Sequence, residues 1–493
     1  MKENPDFTAA ETGTAETGGA TELGRPDLLG RPDLLGDDPP VPLEEVLAER
    51  EKRTLRQRQL AARYGCAGYS RVEGGPALLC LTLNIPGPHK IFPLARRAFR
   101  EEQRIVKLML ESEKMDLLYE EAGENAAGSA GYMVIGAPPE RVKELAIYIE
   151  ETHLLGRLFD LDVTGSSGQK LSRKEGRRCL VCSKPAFECG RSRAHDVSVL
   201  QNAVLDLMKR FFRERLGDIV TSAALRALMA EAAVTPKPGL VDRANNGSHR
   251  DMDFFTFIDS TAAILPYFKE CACMGFDSVR TPPELFEALR PAGKAAERLM
   301  KRATGGVNTH KGAIFSFALL SAAYGVLYRK SDTVQLDDVL AFCRTMTSRL
   351  AEDFSRAEGE ISHGEAAFAR HGIKGIRGEA ARGFPSVRDN SYPALCRLLK
   401  EGASLNDAGI AAFLSLLACV DDTNIIHRSG LSTLRRIQAE TAEFLRGDPS
   451  ISAMRDRAAE LDRQFIAQNI SPGGCADLLG VTFFLHGLFN REL

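Results

Sequence analysis

The chain of 493 residues has no tryptophan, a formal net charge of only −2 and no run of about 18 apolar residues. The missing tryptophan excludes nothing. The near balance of charge excludes a global attraction to nucleic acid or to an anionic membrane, so neither is expected as a partner. The lack of a long apolar run predicts no membrane span. The N-terminal stretch MKENPDFTAAETG lacks the basic-then-apolar pattern of a secretion signal, which predicts a cytoplasmic protein. Cysteine is present, but its eleven copies are scattered and odd in number, and this suits a reduced compartment better than a disulfide scaffold. A hydrophobic share of 44% over this length leaves room for two or three domains, each with its own core.

Residues 1–40 are rich in Gly, Thr, Pro and acids and repeat GRPDLL at 24–29 and 30–35, a composition that predicts a disordered tail. From 41 to 216 the chain alternates in type. Helices are predicted over 43–63, 93–115, 139–155 and 195–216, and strands over 77–85, 131–135 and 158–163. That alternation predicts an α/β or α+β domain, and α+β is taken as the expectation. After Gly217 strand-like runs vanish. Alanine-rich helices are predicted over 219–233, 253–269, 282–302, 311–328, 336–356, 405–419, 431–444 and 451–468, an all-α domain over 217–493.

In the N-terminal domain, Asp160 and Asp162 alternate on the strand of GRLFDLDVTG, so both carboxylates project from one face. Paired carboxylates suit a magnesium ion that bridges a polyphosphate. The same spacing also fits a strand that merely ends in exposed acids. Residues 170–193 carry eight Lys and Arg against two acids, which suits phosphates or an acidic partner. Within them Cys179, Cys182, Cys189 and His195 have a spacing that closes a zinc site or leaves reduced structural cysteines. A zinc-stapled RNA-binding module is disfavoured by the near-neutral total charge and the few aromatics in this segment.

The C-terminal domain holds five glycine-punctuated polar clusters: TPKPGLVDRANNGSHRDMD (235–253), GGVNTHKGAIF (305–315), GIRGEAARGFP (375–385), DDTNIIHRSG (421–430) and SPGGCADLLG (471–480). Each alone reads as a turn with a helix cap. Together they read as a polyphosphate site on a helical scaffold. Lys237, Asn246, Asn308, Thr309, His310, Lys311, Arg377 and Arg382 are the phosphate-binding candidates. Asp421, Asp422 and Asn424 look like a magnesium corner. Asp242, His249 and Glu379 are the candidates for charge stabilisation and base chemistry.

The segments GRLFDLDV, SRKEGRRCLVC and CGRSRAH resemble the citrate lyase holo-acyl-carrier-protein synthases. That resemblance implies a nucleotidyltransferase-type domain that moves a phosphoribosyl-dephospho-coenzyme A group onto a serine of the acyl carrier (gamma) subunit of citrate lyase, releasing diphosphate. Asp160 and Asp162 would hold the metal. Charge alone places Arg157, Arg173 and Arg178 on the diphosphate. TPKPGLVD, NTHKGAIF, DDTN and SPGGCADLL resemble the triphosphoribosyl-dephospho-coenzyme A synthases. They imply ATP and 3′-dephospho-coenzyme A as substrates and 2′-(5″-triphosphoribosyl)-3′-dephospho-coenzyme A and adenine as products. Cys475 departs from that pattern, where a serine is expected. The two resemblances together predict a bifunctional transferase that matures citrate lyase. The same chemistry serving malonate decarboxylase is the alternative within that class, and a nucleotide-binding regulator without turnover is the alternative outside it.

Overall fold

The alternation of ALLCLTL builds a strand with two apolar faces, and a sheet forms around it. The computed structural model describes residues 40–65, 75–182, 184–350 and 368–490. The predicted tail up to residue 39 and residues 351–356 of the helix predicted over 336–356 lie outside the described residues. α1 (Leu43–Gly65) precedes β1 (Ala77–Leu83), α2 (Pro93–Ser112), the hairpin of β2 (Leu117–Asn125) and β3 (Gly128–Ile135), α3 (Pro139–Thr152) and β4 (Phe159–Thr164). The sheet is antiparallel throughout, in the order β2-β3-β1-β4.

Period-2 alternation divides the sheet between two cores. Leu79, Leu81, Met133, Ile135, Leu161 and Val163 join the main core with residues of α2 and α3. Leu78, Cys80, Tyr132 and Val134 pack with Leu60 and Ala61 of α1. Asp160 and Asp162 pair with Thr82 and Cys80, so they share the face on which α1 lies. β2 is a strand the sequence did not announce. It is an edge strand, and its LLYEEAGEN segment is mostly solvated, so the apolar alternation of a half-buried strand is missing.

Beyond α4 (Ala186–Ser192), α5 (Val197–Ala233) runs 37 residues without a break. It merges the predicted helices 195–216 and 219–233. Gly217 marks close packing here and not a turn, since a Cβ at that position would lie 2.7 Å from Lys269 Cε. The helical half continues with α6 (Phe254–Asp277), α7 (Pro282–Ala303), α8 (Lys311–Lys330) and α9 (Leu336–Met346). It resumes with α10 (Gly375–Ala381), a π-helical turn (Val387–Ser391), α11 (Tyr392–Lys400) and α12 (Leu405–Leu417). It ends with α13 (Thr423–Ser429), α14 (Leu431–Arg446), α15 (Ile451–Gln468) and α16 (Gly473–Phe489).

Helix α8 is the hub. Among the described residues it is the one helix long and apolar enough to cross a membrane, and it is mostly buried inside the protein. Phe317 of α8 stacks on Phe484 of α16 with ring centroids 4.5 Å apart. The N-terminal half docks on the far end of the same helix. The Arg97 guanidinium of α2 lies 3.7 Å from the centroid of the Tyr328 ring, and its Nη2 donates to Ser331 O at 2.9 Å.

Candidate functional site

Alternate breaks between C-terminal helices fall at one end of the bundle, so four of their polar clusters meet there. Asn308, Thr309, His310 and Lys311, at the entry to α8, line a cavity of about 270 Å³ together with His249 and Arg428. A neighbouring cavity of about 750 Å³ is lined by Lys374, Glu379, Arg382, Asp421 and Asp422, which brings in the fifth cluster. Asn424 and Asp477 belong to the walls of both.

A relay of hydroxyls sets the state of His310. Thr309 Oγ1 donates to Ser260 Oγ at 2.6 Å, and Ser260 Oγ lies 2.7 Å from His310 Nδ1. The Ser260 hydroxyl keeps its own hydrogen to donate to Nδ1, and in that arrangement the proton of the neutral ring sits on Nε2. Burial, assisted by the charge of Lys237, pushes the imidazole down to about 3. Nε2 has no hydrogen-bond partner among the described residues and lies buried at the cavity wall. His249 places Nε2 2.8 Å from Ser471 Oγ, and burial also lowers its pKa. Asp477 Oδ1 accepts from Ala313 N at 2.9 Å, while burial first and Glu231 second hold its carboxyl well above the usual range.

Several candidates sit elsewhere than expected. Lys237 is 1% exposed and its Nζ is 2.6 Å from Glu231 Oε1, so its charge is already compensated at the cavity wall. Asp242 is buried and accepts from the N–H groups of Lys237, Ala244 and Asn245. It folds the rigid loop and lines neither cavity. Asn246 is exposed and also outside both walls. Arg377 is outside them too, and Lys374, three residues earlier, takes the place expected of it. Arg382 Nη2 reaches Glu379 Oε1 at 3.0 Å, and Ser386 donates to both Glu379 oxygens. Asp422 is the N-cap of α13. Its oxygens accept from the N–H groups of Asn424, Ile425 and Cys475, and Asp421 is 2.7 Å from Arg435. This donor set does not fit an open magnesium site: Asp422 ties α13 to α16 instead.

On the N-terminal sheet, Lys170 Nζ is 2.6 Å from Asp162 Oδ2, and Arg177 is 3.4 Å from Asp160 Oδ1. Burial, with Asp162 next, raises the Asp160 carboxyl. Arg173 is bound to Glu150 and Glu151, and Arg157 donates to the carbonyls of Arg178 and Cys179. Two of the three arginines expected on diphosphate, Arg157 and Arg173, therefore brace the protein itself, while Arg178 is exposed. Three charged groups behind this face escaped the sequence reading. Glu150 accepts Arg173, Arg177 and the Leu161 N–H, and Lys143 donates to Leu161 O. Glu102 is fully buried with neither oxygen paired among the described residues, and burial, with Asp160 next, pushes it well above the carboxylate range. The signal for Glu102 was available, because it interrupts the apolar i, i+4 series Leu94, Ala98, Val106, Leu110. Cys179, Cys182, Cys189 and His195 gather beside this face, with their ligand atoms within 4.8 Å of one another.

A sheet bearing paired carboxylates, joined by a continuous helix to a bundle with two polar cavities, defines a two-site transferase. Residues 41–211 match the apo-citrate lyase phosphoribosyl-dephospho-CoA transferase family. Residues 218–492 match the ATP:dephospho-CoA triphosphoribosyl transferase family. The chain is 34% identical over 465 residues to Protein CitXG of Leuconostoc mesenteroides subsp. cremoris, covering 90% of this chain and 96% of that one. It is 33% identical over 464 residues to Protein CitXG of Haemophilus influenzae, with the same coverage. Its C-terminal part is 44% identical over 277 residues to a 2-(5''-triphosphoribosyl)-3'-dephosphocoenzyme-A synthase of Klebsiella pneumoniae, covering 54% of this chain and 89% of that one. The chain belongs to the family of CitXG fusions. It is a bifunctional transferase of citrate lyase maturation, combining triphosphoribosyl-dephospho-CoA synthesis with phosphoribosyl-dephospho-CoA transfer.

Proposed function

We propose that residues 217–493 carry out the synthesis in the two adjoining cavities and residues 41–216 the transfer at Asp160 and Asp162. The observation that carries this reading is the wall of Asn424 and Asp477 shared by both cavities, because a reaction between two large substrates needs two sites that meet at one point. The triphosphate of ATP lies at the N-terminus of α8, where backbone N–H groups, Lys311 and Arg428 favour an anion. 3′-Dephospho-CoA enters the larger cavity past Lys374 and Arg382. The 2′-oxygen of its ribose bonds to C1′ of the ATP ribose, the bond from C1′ to adenine breaks, and adenine leaves with that electron pair. Asp477 takes the hydroxyl proton and the departing adenine takes one up at its nitrogen, so no net proton is released. The buried Nε2–H of His310 donates to a ligand oxygen or nitrogen at the wall.

For the second reaction we assign nucleotidyltransferase-type chemistry to the N-terminal sheet. Asp160 and Asp162 sit side by side on one face, part-exposed, and already draw Arg177 and Lys170. This hard-oxygen pair fits Mg²⁺, which would neutralise the departing diphosphate. The acceptor is a serine of the acyl carrier subunit of citrate lyase. Lys170 and Arg177 hold the carboxylates in register for it. The free thiols of all ten described cysteines support a cytoplasmic setting.

The deciding experiment is adenine release from ATP by the full chain, with and without 3′-dephospho-CoA. Release that depends on the coenzyme is expected. ADP or AMP in its place, or release without the coenzyme, overturns the two-cavity reading.

A further inference from the structure

We propose that Cys179, Cys182, Cys189 and His195 bind one Zn²⁺ in a closed four-ligand site that fixes the basic arm of residues 170–178 against Asp160 and Asp162. The clause about the arm rests on the transfer reaction assigned above, while the metal itself does not.

The geometry is that of an assembled ligand set. Cys182 Sγ is 3.5 Å from Cys189 Sγ and 3.4 Å from His195 Nε2, and all four ligand atoms lie within 4.8 Å of one another. Tetrahedral zinc with sulfur at about 2.3 Å and nitrogen at about 2.0 Å sets its ligands about 3.5–3.8 Å apart. The sulfurs are far beyond the roughly 2.05 Å of a disulfide, and the cysteines are free. The ligands come from three places: a tight hairpin, α4 and the residue two before α5. In the hairpin Cys179 N donates to Lys184 O at 2.8 Å and Ala186 N to Arg177 O at 2.7 Å. Val181 N points at Cys179 Sγ at 3.4 Å, which would support a thiolate there.

Apart from ion pairs to Glu150, Glu151 and Asp160 and the edge packing of Leu171 and Leu180, little apolar burial holds the lobe. Among the described residues 171–196 only Cys179 and Cys189 are buried, while Val181 and Phe187 are exposed. A segment of this size with so little apolar core of its own gains most from a staple. Three thiolates and an imidazole select zinc over the hard cations that suit Asp160 and Asp162.

The position gives the ion its effect. Arg177, two residues before the first ligand, contacts Asp160 and Glu150. Arg157, next to β4, donates to Cys179 O at 2.8 Å. His195 anchors the other end to the start of the helix that enters the synthase half. Zinc thus ties the carboxylate face, its basic arm and the bridging helix to one point.

The test uses the full chain, purified without a metal-chelating tag, reduced and dialysed against micromolar zinc and then buffer. Metal analysis is expected to find about one zinc per chain, and the Co²⁺-exchanged protein a thiolate charge-transfer band with tetrahedral visible bands. Cys182→Ser combined with His195→Ala is expected to hold less than about a tenth of that zinc and to lose transfer activity by about 10–100-fold. Its adenine release stays within about twofold, which also reports that the chain is folded. His195→Cys keeps four soft ligands and is expected to retain both zinc and transfer. A wild-type chain without zinc, zinc retained by the double variant, or a Co²⁺ spectrum lacking thiolate bands would each overturn the site. Zinc lost with transfer unchanged would overturn its role in holding the arm.

Discussion

Ala313 donates its N–H to Asp477 Oδ1 at 2.9 Å, which ties the first turn of α8 to the second turn of α16 at the wall shared by the two cavities. The other oxygen of the same carboxyl is the proposed proton acceptor. Asp477→Asn keeps an acceptor for Ala313 and removes the base. Adenine release is expected to fall by about 100-fold or more, with transfer of ready-made precursor unchanged. Chromatographic assay of adenine, beside a mass-shift assay of the acyl carrier subunit, separates these outcomes. A parallel loss of both would mean that Asp477 serves the fold.

Gly312 makes room for this contact. A Cβ there would lie 2.0 Å from Asp477 Oδ2 and 2.4 Å from its Cγ. Neither atom can retreat without giving up the Ala313 bond or entering a cavity. Gly312→Ala is therefore expected to destabilise the synthase half by about 1–3 kcal/mol and to lower adenine release more than Ala does at the exposed Gly447, whose φ is negative. Thermal melts with the adenine assay check this. An unchanged Gly312→Ala enzyme would show that Asp477 has freedom the packing denies it.

The long helices and the central strands were legible because their apolar period is strong, and residues 451–468 were read as a helix to the residue. Elements with weak or mixed periods were missed. β2 is a solvated edge, and α13 lies inside a cluster read as a loop because Asp422 caps it from within the polar motif. The clusters could be picked out from glycine and charge, but not the division of labour inside them. Asp242 and Lys237 carry the right chemistry and spend it on the Lys237 N–H and on Glu231. Pairing of that kind depends on tertiary neighbours, and local spacing does not encode it.

His310 is expected to make the native chain acid-sensitive. An unfolded imidazole titrates near 6.5, and in the fold it is lowered to about 3. Between those values the unfolded chain binds a proton that the native chain refuses, so stability falls as pH drops through that window. At pH 5 the loss attributable to this group is about 2 kcal/mol. Asp477 and Asp422 act in the opposite sense, since their raised carboxyls take up protons more readily in the fold. Comparing wild type with His310→Asn isolates the histidine. The variant is expected to be less stable at pH 8 and to lose less stability between pH 8 and pH 5, as read by urea unfolding. An equal loss in both would place the acid sensitivity elsewhere.

Asp160→Asn combined with Asp162→Asn tests whether the two reactions are separable. The substitution leaves Lys170 and Arg177 without their carboxylate partners, but Lys170 is well exposed and Arg177 keeps Glu150, so the structural cost is about 1 kcal/mol or less. Neither aspartate reaches the cavities of the helical half. Transfer to the acyl carrier subunit is expected to drop by at least about 1000-fold, while adenine release from ATP and 3′-dephospho-CoA stays within about twofold. Excess Mg²⁺ is not expected to restore transfer, because amides replace the anionic ligands and do not merely weaken one of them. A variant that transfers normally would remove the paired carboxylates from the reaction. A folded variant that loses adenine release in step with transfer would mean that the bridging helix α5 couples the two sites, and then the reactions could not be assigned to separate halves of the chain.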